Sequence, residues 1–183
     1  NITYGENATA TGQRHIDGEY LVTTRDPNYT ISVTGGKGTT DIPDLVVGED
    51  IPATVTIADG NYTAYNATSF NVTPKEITVV ISVGNITYGE NATVTVQSDV
   101  DGEYIVNIRD VNYTVSVTGG IGVKDIPDLV VGEDIPATVT IADGNYTGFN
   151  STTFAAAIKQ IDIPISAVNI THIDNEIITV LSE

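Results

Sequence analysis

Apolar and polar residues alternate with a period of two along much of this chain. In residues 91–96, Ala92, Val94 and Val96 fall on one face, and Asn and Thr residues fall on the other. A period of two is typical of a β-strand with one buried face. The same alternation predicts three more inward-facing sets: Tyr104, Val106 and Ile108; Tyr113, Val115 and Val117; and Ile135, Ala137, Val139 and Ile141.

Turn-forming residues separate these predicted strands. They are Asp101-Gly102, the Gly119-Gly120 and Gly122 cluster, Gly132-Glu133-Asp134 and Asp143-Gly144. Further strands are predicted at residues 77–83 and 152–156. Val, Ile and Thr make up 72 of the 183 residues, and their branched side chains favour sheets over helices. We therefore predict an all-β fold with about seven short strands per unit, the number found in an immunoglobulin-like sandwich.

The pattern is repeated with an offset of 84 residues. Residues 1–72 are identical to residues 85–156 at 53 of the 72 positions, and residues 41–63 recur unchanged at 125–147. Near-identical units of this size are typical of modular arrays, in which copies provide reach or avidity and an enzyme site is not expected. We place the units at residues 1–74 and 75–158, with very short linkers at Pro74-Lys75 and Ile158-Lys159.

The last 25 residues resemble the start of a third unit. Residues 159–181 match residues 75–97 at 10 of 23 positions, whereas unit one has no counterpart of residues 75–84. A sandwich without its first strand exposes an edge to which another strand can add. One hypothesis is that residues 159–168 dock on unit one of another copy and build a head-to-tail homopolymer, with subunit contacts made by Lys159, Ile161, Ile163 and Ile165. The alternative is a processed fragment or an excerpt of a long adhesin, which fits the absence of an initiating Met and of a signal peptide.

Charge and composition narrow the class of protein. The formal net charge is −17 with only seven Lys and Arg residues, so binding to nucleic acid phosphates is not expected. No apolar run reaches the roughly 20 residues that span a bilayer. There is no Cys, so neither disulfides nor thiolate metal sites can stabilise the units.

Asn-x-Ser/Thr sequons are far more frequent than chance allows. Twelve of the 14 Asn residues lie in one: Asn1, Asn7, Asn28, Asn61, Asn66, Asn71, Asn85, Asn91, Asn112, Asn145, Asn150 and Asn169. The alternation places Asn112 and Thr114 outward and Tyr113 inward, an exposure that a glycosylating enzyme needs. It predicts the same orientation for Asn91-Ala92-Thr93 and for Asn145-Tyr146-Thr147. The alternative is that Asn begins turns and Thr fills strands without any sugar. We expect N-linked glycans and therefore an extracellular protein of an archaeon or a eukaryote.

Several segments resemble a known family. YGENATVTV, GEYIVNI, NYTVSV, DIPDLVVGE and ADGNYTGFNSTTF, in residues 88–154, are similar to bacterial-type Ig-like tandem repeats, as in adhesin-like surface proteins of methanogenic archaea. The resemblance covers both units and implies an extracellular β-sandwich stalk at the cell surface, whose binding tips are generally carried elsewhere. Where the family usually has an aromatic strand before its G-D-x-N-Y motif, this chain has residues 140–142, Thr-Ile-Ala.

Acidic residues gather near the predicted turns, and oxygen clusters at domain junctions can hold Ca²⁺. The two sets are Asp125, Asp128, Glu133 and Asp134, and their counterparts Asp41, Asp44, Glu49 and Asp50. Their spacing matches no EF-hand loop. We expect solvated charges that keep the surface soluble, with a Ca²⁺ site as the alternative and no other cofactor.

Isolated His and Lys residues give no catalytic pattern. His15 and His172 recur in no other unit and have no Cys or periodic carboxylate beside them, so we expect both at the surface. Lys75 and Lys159 stand where some Cys-free pilus domains form an amide cross-link to Asn or Asp, although a solvated Lys is the simpler interpretation.

These observations predict a structural surface protein and not an enzyme. It is either a glycosylated filament subunit or an adhesin stalk. The alternative class is a carbohydrate-binding or partner-binding module of a larger adhesin, which would need exposed aromatic side chains, yet Trp is absent and most Tyr are predicted inward.

Overall fold

The computed structural model describes residues 1–25, 28–57, 59–167 and 178–180. All regular elements in these residues are β-strands, which confirms the all-β prediction. The described residues include no helix that could cross a membrane.

Residues 1–74, called unit one, form seven strands in two sheets. The larger sheet has the order β1-β7-β6-β3-β4, and the smaller pairs β2 with β5. The strands are β1 (Ile2–Thr3), β2 (Ala8–Gln13), β3 (Gly18–Thr23), β4 (Asn28–Val33), β5 (Lys37–Ile42), β6 (Gly48–Ile57) and β7 (Tyr65–Thr73).

Residues 75–158, called unit two, repeat this arrangement with one strand more in the smaller sheet and an additional short strand pair. The larger sheet has the order β10-β17-β15-β12-β13, and the smaller has the order β14-β11-β9; β8 pairs with β16. The strands are β8 (Lys75–Glu76), β9 (Val79–Val83), β10 (Ile86–Thr87), β11 (Ala92–Ser98), β12 (Gly102–Ile108), β13 (Val111–Val117), β14 (Ile121–Ile126), β15 (Gly132–Ile141), β16 (Tyr146–Thr147) and β17 (Phe149–Ala157).

In each unit two mainly antiparallel sheets pack over one core, as in an immunoglobulin-like sandwich. In unit two the predicted inward faces are confirmed for 11 of the 13 side chains, which are fully buried; Tyr113 and Ile141 are half-buried at the margin. The proposed boundaries at Pro74 and Ile158 fall between β7 and β8 and directly after β17.

The turns use residues that tolerate a left-handed backbone. Gly119 and Gly120 have φ of 62° and 87°, and Arg109 and Asp110 have φ of 50° and 65°, as two-residue hairpin turns require. Asp101 accepts hydrogen bonds from the Gly119 N–H at 3.0 Å and the Gly120 N–H at 3.1 Å. These bonds stabilise the carboxylate, with Gly119 the larger contribution, and hold the pKa of Asp101 below its ordinary value.

A bulge allows proline within a central strand. The β15 to β17 register shifts between Gly132 and Ile135, where Asp134 has φ of 51°. Pro136 then lies one residue before the β15 to β12 pairing begins at Ala137, so its missing N–H breaks no bond to β12. Pro136 therefore lies inside β15 and not at a strand end, whereas Pro127 directly follows the end of β14.

The two cores differ in size. Among the described residues, the unit two core is a cluster of 18 buried side chains, whereas the corresponding cluster in unit one has five. Buried Thr24, whose counterpart is Ile108, has a hydroxyl with no hydrogen-bond partner in the described part of the chain. An unsatisfied buried hydroxyl lowers stability, so unit one is the weaker of the two.

The described residues beyond Ile158 contain one short pair of strands. Strands β18 (Ile165–Ala167) and β19 (Ile178–Val180) form an antiparallel pair in which Ile165 lies opposite Val180. Subtracting 84 from both numbers gives Ile81 opposite Val96, which is the register of β9 with β11. The β18 to β19 pair therefore has the same register as β9 with β11, and a third repeat stays a prediction.

Candidate binding groove and unit junction

An apolar groove of about 360 Å³ lies along unit one. Its floor includes Val22, Ile31 and Ile42, and its walls come from β2, β6 and β7. Because most of these strands point their branched side chains inward, the groove opens directly onto the core. Its apolar lining is suited to an extended apolar segment.

In unit two the corresponding space is filled by β9. Val79 and Ile81 of β9 are buried in the core, and β9 pairs antiparallel with β11 from Val94 opposite Val83 to Ser98 opposite Val79. No strand among the described residues pairs with the free edge of β2 in the same way. The groove is therefore the position of a first strand.

The groove of unit one is wider than the space that β9 fills. Ala10 and Gly12 stand where unit two has Val94 and Val96. A Cβ atom added at Gly12 would lie 3.5 Å from Val33 Cγ2, which is an ordinary van der Waals contact. Neighbouring groups therefore do not occupy the space that the missing side-chain atoms leave. A strand in this groove has room for larger side chains than those of β9.

One asparagine holds the filled strand in place. The Asn150 Nδ2 donates a hydrogen bond of 2.7 Å to the Val79 carbonyl, and its Oδ1 accepts from the Ser151 N–H at 2.7 Å. Its counterpart Asn66 accepts from the Ala67 N–H at 2.9 Å and lines the groove. The Asn66 Nδ2 has no hydrogen-bond partner among the described residues.

The two units meet at a junction made by the Asn145-Tyr146-Thr147 turn of unit two. The Val47 N–H donates to Asn145 Oδ1 at 3.2 Å, and the Tyr4 and Tyr146 rings pack edge to face with centroids 5.2 Å apart. The linker is fixed as well, because Lys75 N–H donates to the Asn145 carbonyl at 3.0 Å and β8 pairs with β16. Backbone hydrogen bonds therefore hold the start of unit two, directly after the linker, against the Asn145-Tyr146-Thr147 turn.

In the described part of the chain, the equivalent surfaces at the outer ends of the two units are exposed. Tyr88 and Val131 of unit two are the counterparts of Tyr4 and Val47, and Tyr62 of unit one is the counterpart of Tyr146. Tyr62 is 49% exposed and Tyr88 is 52% exposed, whereas Tyr4 and Tyr146 are half-buried. Each end of the pair therefore presents one half of the junction that the middle already forms.

The sequon asparagines lie in different environments. Exposed ones are Asn1, Asn7, Asn28, Asn61, Asn66, Asn85, Asn91 and Asn112; half-buried ones are Asn71, Asn145 and Asn150; Asn169 lies outside the described residues. Glycans attach to Nδ2, and in Asn145, as in Asn61, that atom donates to an Asp side chain. Asn145 also differs from the expected outward orientation, because it faces unit one. Glycosylation at these sites remains a prediction.

The remaining candidates form no site in the described residues. No group of three or more His, Asp or Glu side chains there could hold a metal ion. Asp44, Asp50, Asp128 and Asp134 instead occupy left-handed backbone positions with φ between 47° and 58°, which Asp tolerates better than most residues. His15, Lys75 and Lys159 are exposed, and His172 lies outside the described residues.

Sequence alone did not single out the groove asparagines or the junction tyrosines for these roles. The sequence predicts Asn66 and Asn150 to be glycosylation sites and Tyr146 to be an inward-facing core residue. The repeat does mark these residues, because each asparagine and each junction tyrosine recurs at the 84-residue offset. It does not show which copy of each residue contacts a neighbouring strand or ring.

No protein-family model matches the chain, and no curated protein matches it. Among solved structures the chain is similar to titin A168–A169 (13% identity, TM-score 0.42), with 86% of this chain and 94% of the chain in that structure covered. It is also similar to titin Z1Z2 in complex with telethonin (10% identity, TM-score 0.39), with 87% of this chain and 93% of the other chain covered. A further similar structure is that of the eight N-terminal Ig domains of Down Syndrome Cell Adhesion Molecule (10% identity, TM-score 0.42), with 92% of this chain and 26% of the other chain covered. At these TM-scores the likeness says nothing of function, and the immunoglobulin-like assignment follows from the strand order and pairing.

Proposed function

We propose that this chain is a spacer, a segment of a stalk in which immunoglobulin-like units stack end to end at the cell surface. The observation that carries the proposal is the bonded junction between units one and two. A stalk must transmit a position or a force over a distance, and a junction with fixed contacts does this better than a flexible linker. The role requires no catalytic centre.

The repetition of the junction surfaces supports a longer array. Tyr88 and Val131 offer the next unit the surface that Tyr4 and Val47 offer unit two, and β18 with β19 begins that next unit in the same register. If each junction repeats, length grows by one unit per repeat while the angle between units stays constant.

The proposed location is extracellular, on the surface of an archaeal cell. Eight of the predicted glycan acceptors are exposed on the sandwich surface, and the net charge of −17 favours a hydrated, non-aggregating exterior. The similarity to adhesin-like repeats of methanogenic archaea points the same way. Glycans would cover sheet faces and edges that otherwise invite association.

The spacer proposal is tested by measuring how much the distance between the two units varies in solution. Solution scattering of the 183-residue chain should fit one narrow distribution of distances between the units. Tyr146→Ala removes the ring that packs on Tyr4, and it should broaden that distribution, whereas Tyr65→Ala, which removes an exposed ring away from the junction, should not. An equally broad distribution in the unchanged protein would refute the spacer proposal.

A second candidate function is a carbohydrate-binding or partner-binding module of an adhesin. It is favoured by Tyr65 and Phe149, equivalent positions on β7 and β17 whose rings are 67% and 66% exposed, although most tyrosines were expected inward. Exposed aromatic rings can stack on sugars or on a protein partner. Glycan-array binding that is lost in the Tyr65→Ala and Phe149→Ala double variant would favour this module over a plain spacer.

A head-to-tail filament of separate chains is the other form that the array can take. It would use the same junction, with the strand supplied by residues 159–168 of another copy. Deleting residues 159–183 separates the two forms, because filament growth should stop if those residues are donated and should be unaffected if they are only the start of a third unit.

A further inference from the structure

We propose that N-glycosylation of this chain is selective. Asn112 and its equivalent Asn28 carry glycans that shield a free edge of the larger sheet in each unit, whereas Asn145 and Asn150 stay unmodified. This inference rests on the glycosylated surface protein proposed above, and it names acceptors and gives two of them a role. A sequon by itself does not distinguish the four residues, so the distinction comes from the hydrogen bonds and the surroundings of each side-chain amide.

The Asn150 amide lies between the two sheets of unit two. Its Nδ2 donates to the Val79 carbonyl at 2.7 Å, and its Oδ1 accepts from the Ser151 N–H at 2.7 Å. Asn150 belongs to β17 in the larger sheet, whereas Val79 belongs to β9 in the smaller sheet and is buried. Because a glycan replaces a hydrogen of Nδ2 with a bulky sugar, it would have to enter the space between the sheets. A chain modified at Asn150 could not keep β9 in place.

The Asn145 amide is held between the two units. Its Nδ2 donates to Asp143 Oδ1 at 3.0 Å, and its Oδ1 accepts from the Val47 N–H of unit one at 3.2 Å. Its backbone carbonyl accepts from the Lys75 N–H at 3.0 Å. A hydrated sugar on Nδ2 would push unit one away from this turn. Folded chains with an intact junction therefore leave Asn145 unmodified.

Asn112 has neither constraint. It is exposed at the start of β13, directly after the Arg109-Asp110 turn, and Thr114 of its sequon is exposed as well. Its Oδ1 accepts from Asn107 Nδ2 at 2.7 Å across the strand pair, so the oxygen and not the nitrogen of this amide faces β12. Among the described residues, Asn112 Nδ2 has no hydrogen-bond partner. A glycan on this atom leaves the bond to Asn107 intact.

Unit one repeats the arrangement. Asn28 is exposed at the start of β4, and its Oδ1 accepts from Thr23 Oγ1 at 2.8 Å across the β3 to β4 pair. The donor is a threonine in unit one and Asn107 in unit two, yet both donors hold the oxygen of the sequon amide and leave its nitrogen available. Asn107 itself lies in no sequon, and it is the asparagine that donates with its Nδ2.

The start of β13 is an uncovered strand edge. β13 is the outermost strand of the larger sheet and pairs only with β12 among the described strands. Further along β13 the edge is covered. A Cβ added at Gly122 of β14 would lie 2.5 Å from the Ser116 carbonyl oxygen, and the Thr114 carbonyl accepts from Lys124 Nζ at 3.0 Å.

Antiparallel pairing directs the backbone groups of every second residue to the same side of a strand, so the Asn112 N–H and carbonyl face this edge too. An edge with unpaired backbone groups invites another strand. A glycan on Asn112 stands beside these groups and obstructs such pairing.

Unit one has the more open edge. Thr40 stands at the position of Lys124, so the Thr30 carbonyl, which is the equivalent of the Thr114 carbonyl, lacks the lysine donor. An incoming strand therefore meets two open positions on β4, those of Asn28 and Thr30, and only one on β13. Loss of the Asn28 glycan should promote association more than loss of the Asn112 glycan.

Site occupancy is the first test. The whole chain is secreted from a eukaryotic host that attaches N-glycans, and the folded fraction is purified. Enzymatic removal of the glycans in heavy-oxygen water converts each occupied asparagine into a labelled aspartate, which peptide mapping detects. Asn28 and Asn112 should be occupied in most molecules, and Asn145 and Asn150 in few. Equal occupancy of Asn112 and Asn150 in the folded chain, or an absence of glycans at Asn28 and Asn112, would overturn the proposal.

Shielding is tested by removing single sequons without changing the asparagine. Thr114→Val and Thr30→Val remove the hydroxyl that the glycosylating enzyme needs, whereas Thr114→Ser keeps it. In sedimentation velocity of the glycosylated protein, each valine variant should raise the association constant by about threefold or more, and Thr30→Val should have the larger effect. Thr114→Ser should match the unchanged chain. Asn91→Gln, which removes a sequon beside the central strand β11, is the matched control and should add no association.

The same variants made in a host without N-glycosylation separate the glycan from the valine. There Thr114→Val and the unchanged chain should associate equally, because neither carries a glycan. A difference as large as in the glycosylated protein, or no gain in association on loss of either glycan, would overturn the shielding role. The stiffness of the junction is measured by scattering on the unglycosylated chain, so failure here is separate from failure of the spacer function.

Discussion

Replacing Asn150 by alanine should destabilise unit two, whereas the same change at Asn66 should cost the free chain little. Both variants lose the hydrogen bond that the next residue's N–H donates to the Asn Oδ1, which is 2.7 Å long at Asn150 and 2.9 Å long at Asn66. Only Asn150→Ala also loses the bond to the Val79 carbonyl. The difference between the two variants therefore isolates the contribution of that bond.

The magnitude follows from the half-buried position of Asn150. A typical hydrogen bond contributes about 1 kcal/mol net, and a carbonyl left without a partner in a partly buried site costs about 1–3 kcal/mol. Since water can reach part of this site, we expect Asn150→Ala to lower the free energy of unfolding of unit two by about 1–2 kcal/mol. Asn66→Ala should lower that of unit one by about 0.5 kcal/mol or less, the cost of the local bond alone.

Urea unfolding combined with hydrogen exchange is the suitable assay, because it reports on each unit separately. In Asn150→Ala, amides of residues 79–83 should exchange faster by about five- to thirty-fold, in line with the expected loss of stability. Amides of β2 and β7 should be unchanged. Equal effects of the two substitutions, or unchanged protection of β9 in Asn150→Ala, would refute the role assigned to this side chain.

Three further predictions test the folded state. Thr24→Val should raise the stability of unit one by about 1 kcal/mol in urea unfolding, because it removes a buried hydroxyl without a partner, and a loss would contradict that account. Gly122→Ala should lower the free energy of unfolding by more than about 2 kcal/mol, because the new Cβ would lie 2.5 Å from the Ser116 carbonyl oxygen. Gly84→Ala is the control and should be nearly neutral, because its Cβ would meet open space. Similar losses of stability in the two variants would show that β13 and β14 do not approach so closely at Gly122. Asp101 contributes stability that is complete above its unfolded pKa of 3.8 and is lost as pH falls through the lower folded value, so acid unfolding of Asp101→Asn should lack this component, and identical pH profiles would contradict it.

The sequence by itself determined the fold class and the inward faces. Alternation with a period of two makes the residue set Ala92, Val94 and Val96 apolar on one side, and burying that side is the largest available gain in free energy. The turns could be predicted for an equally local reason, since paired glycines and Asp residues adopt the left-handed backbone that short hairpins require. Local chemistry was sufficient at these positions.

Only the tertiary structure decided which equivalent residues have partners. Asn66 and Asn150 have the same type of sequence context, yet one donates to a strand and the other faces an open groove. Tyr4 and Tyr88 lie in two copies of the same nine-residue sequence, yet among the described residues only Tyr4 packs on a neighbouring ring. A repeat reproduces every surface in each copy, whereas contacts depend on what the chain brings beside that surface in space. That juxtaposition is a property of the folded tandem and cannot be read from a pattern that is local and identical in both copies.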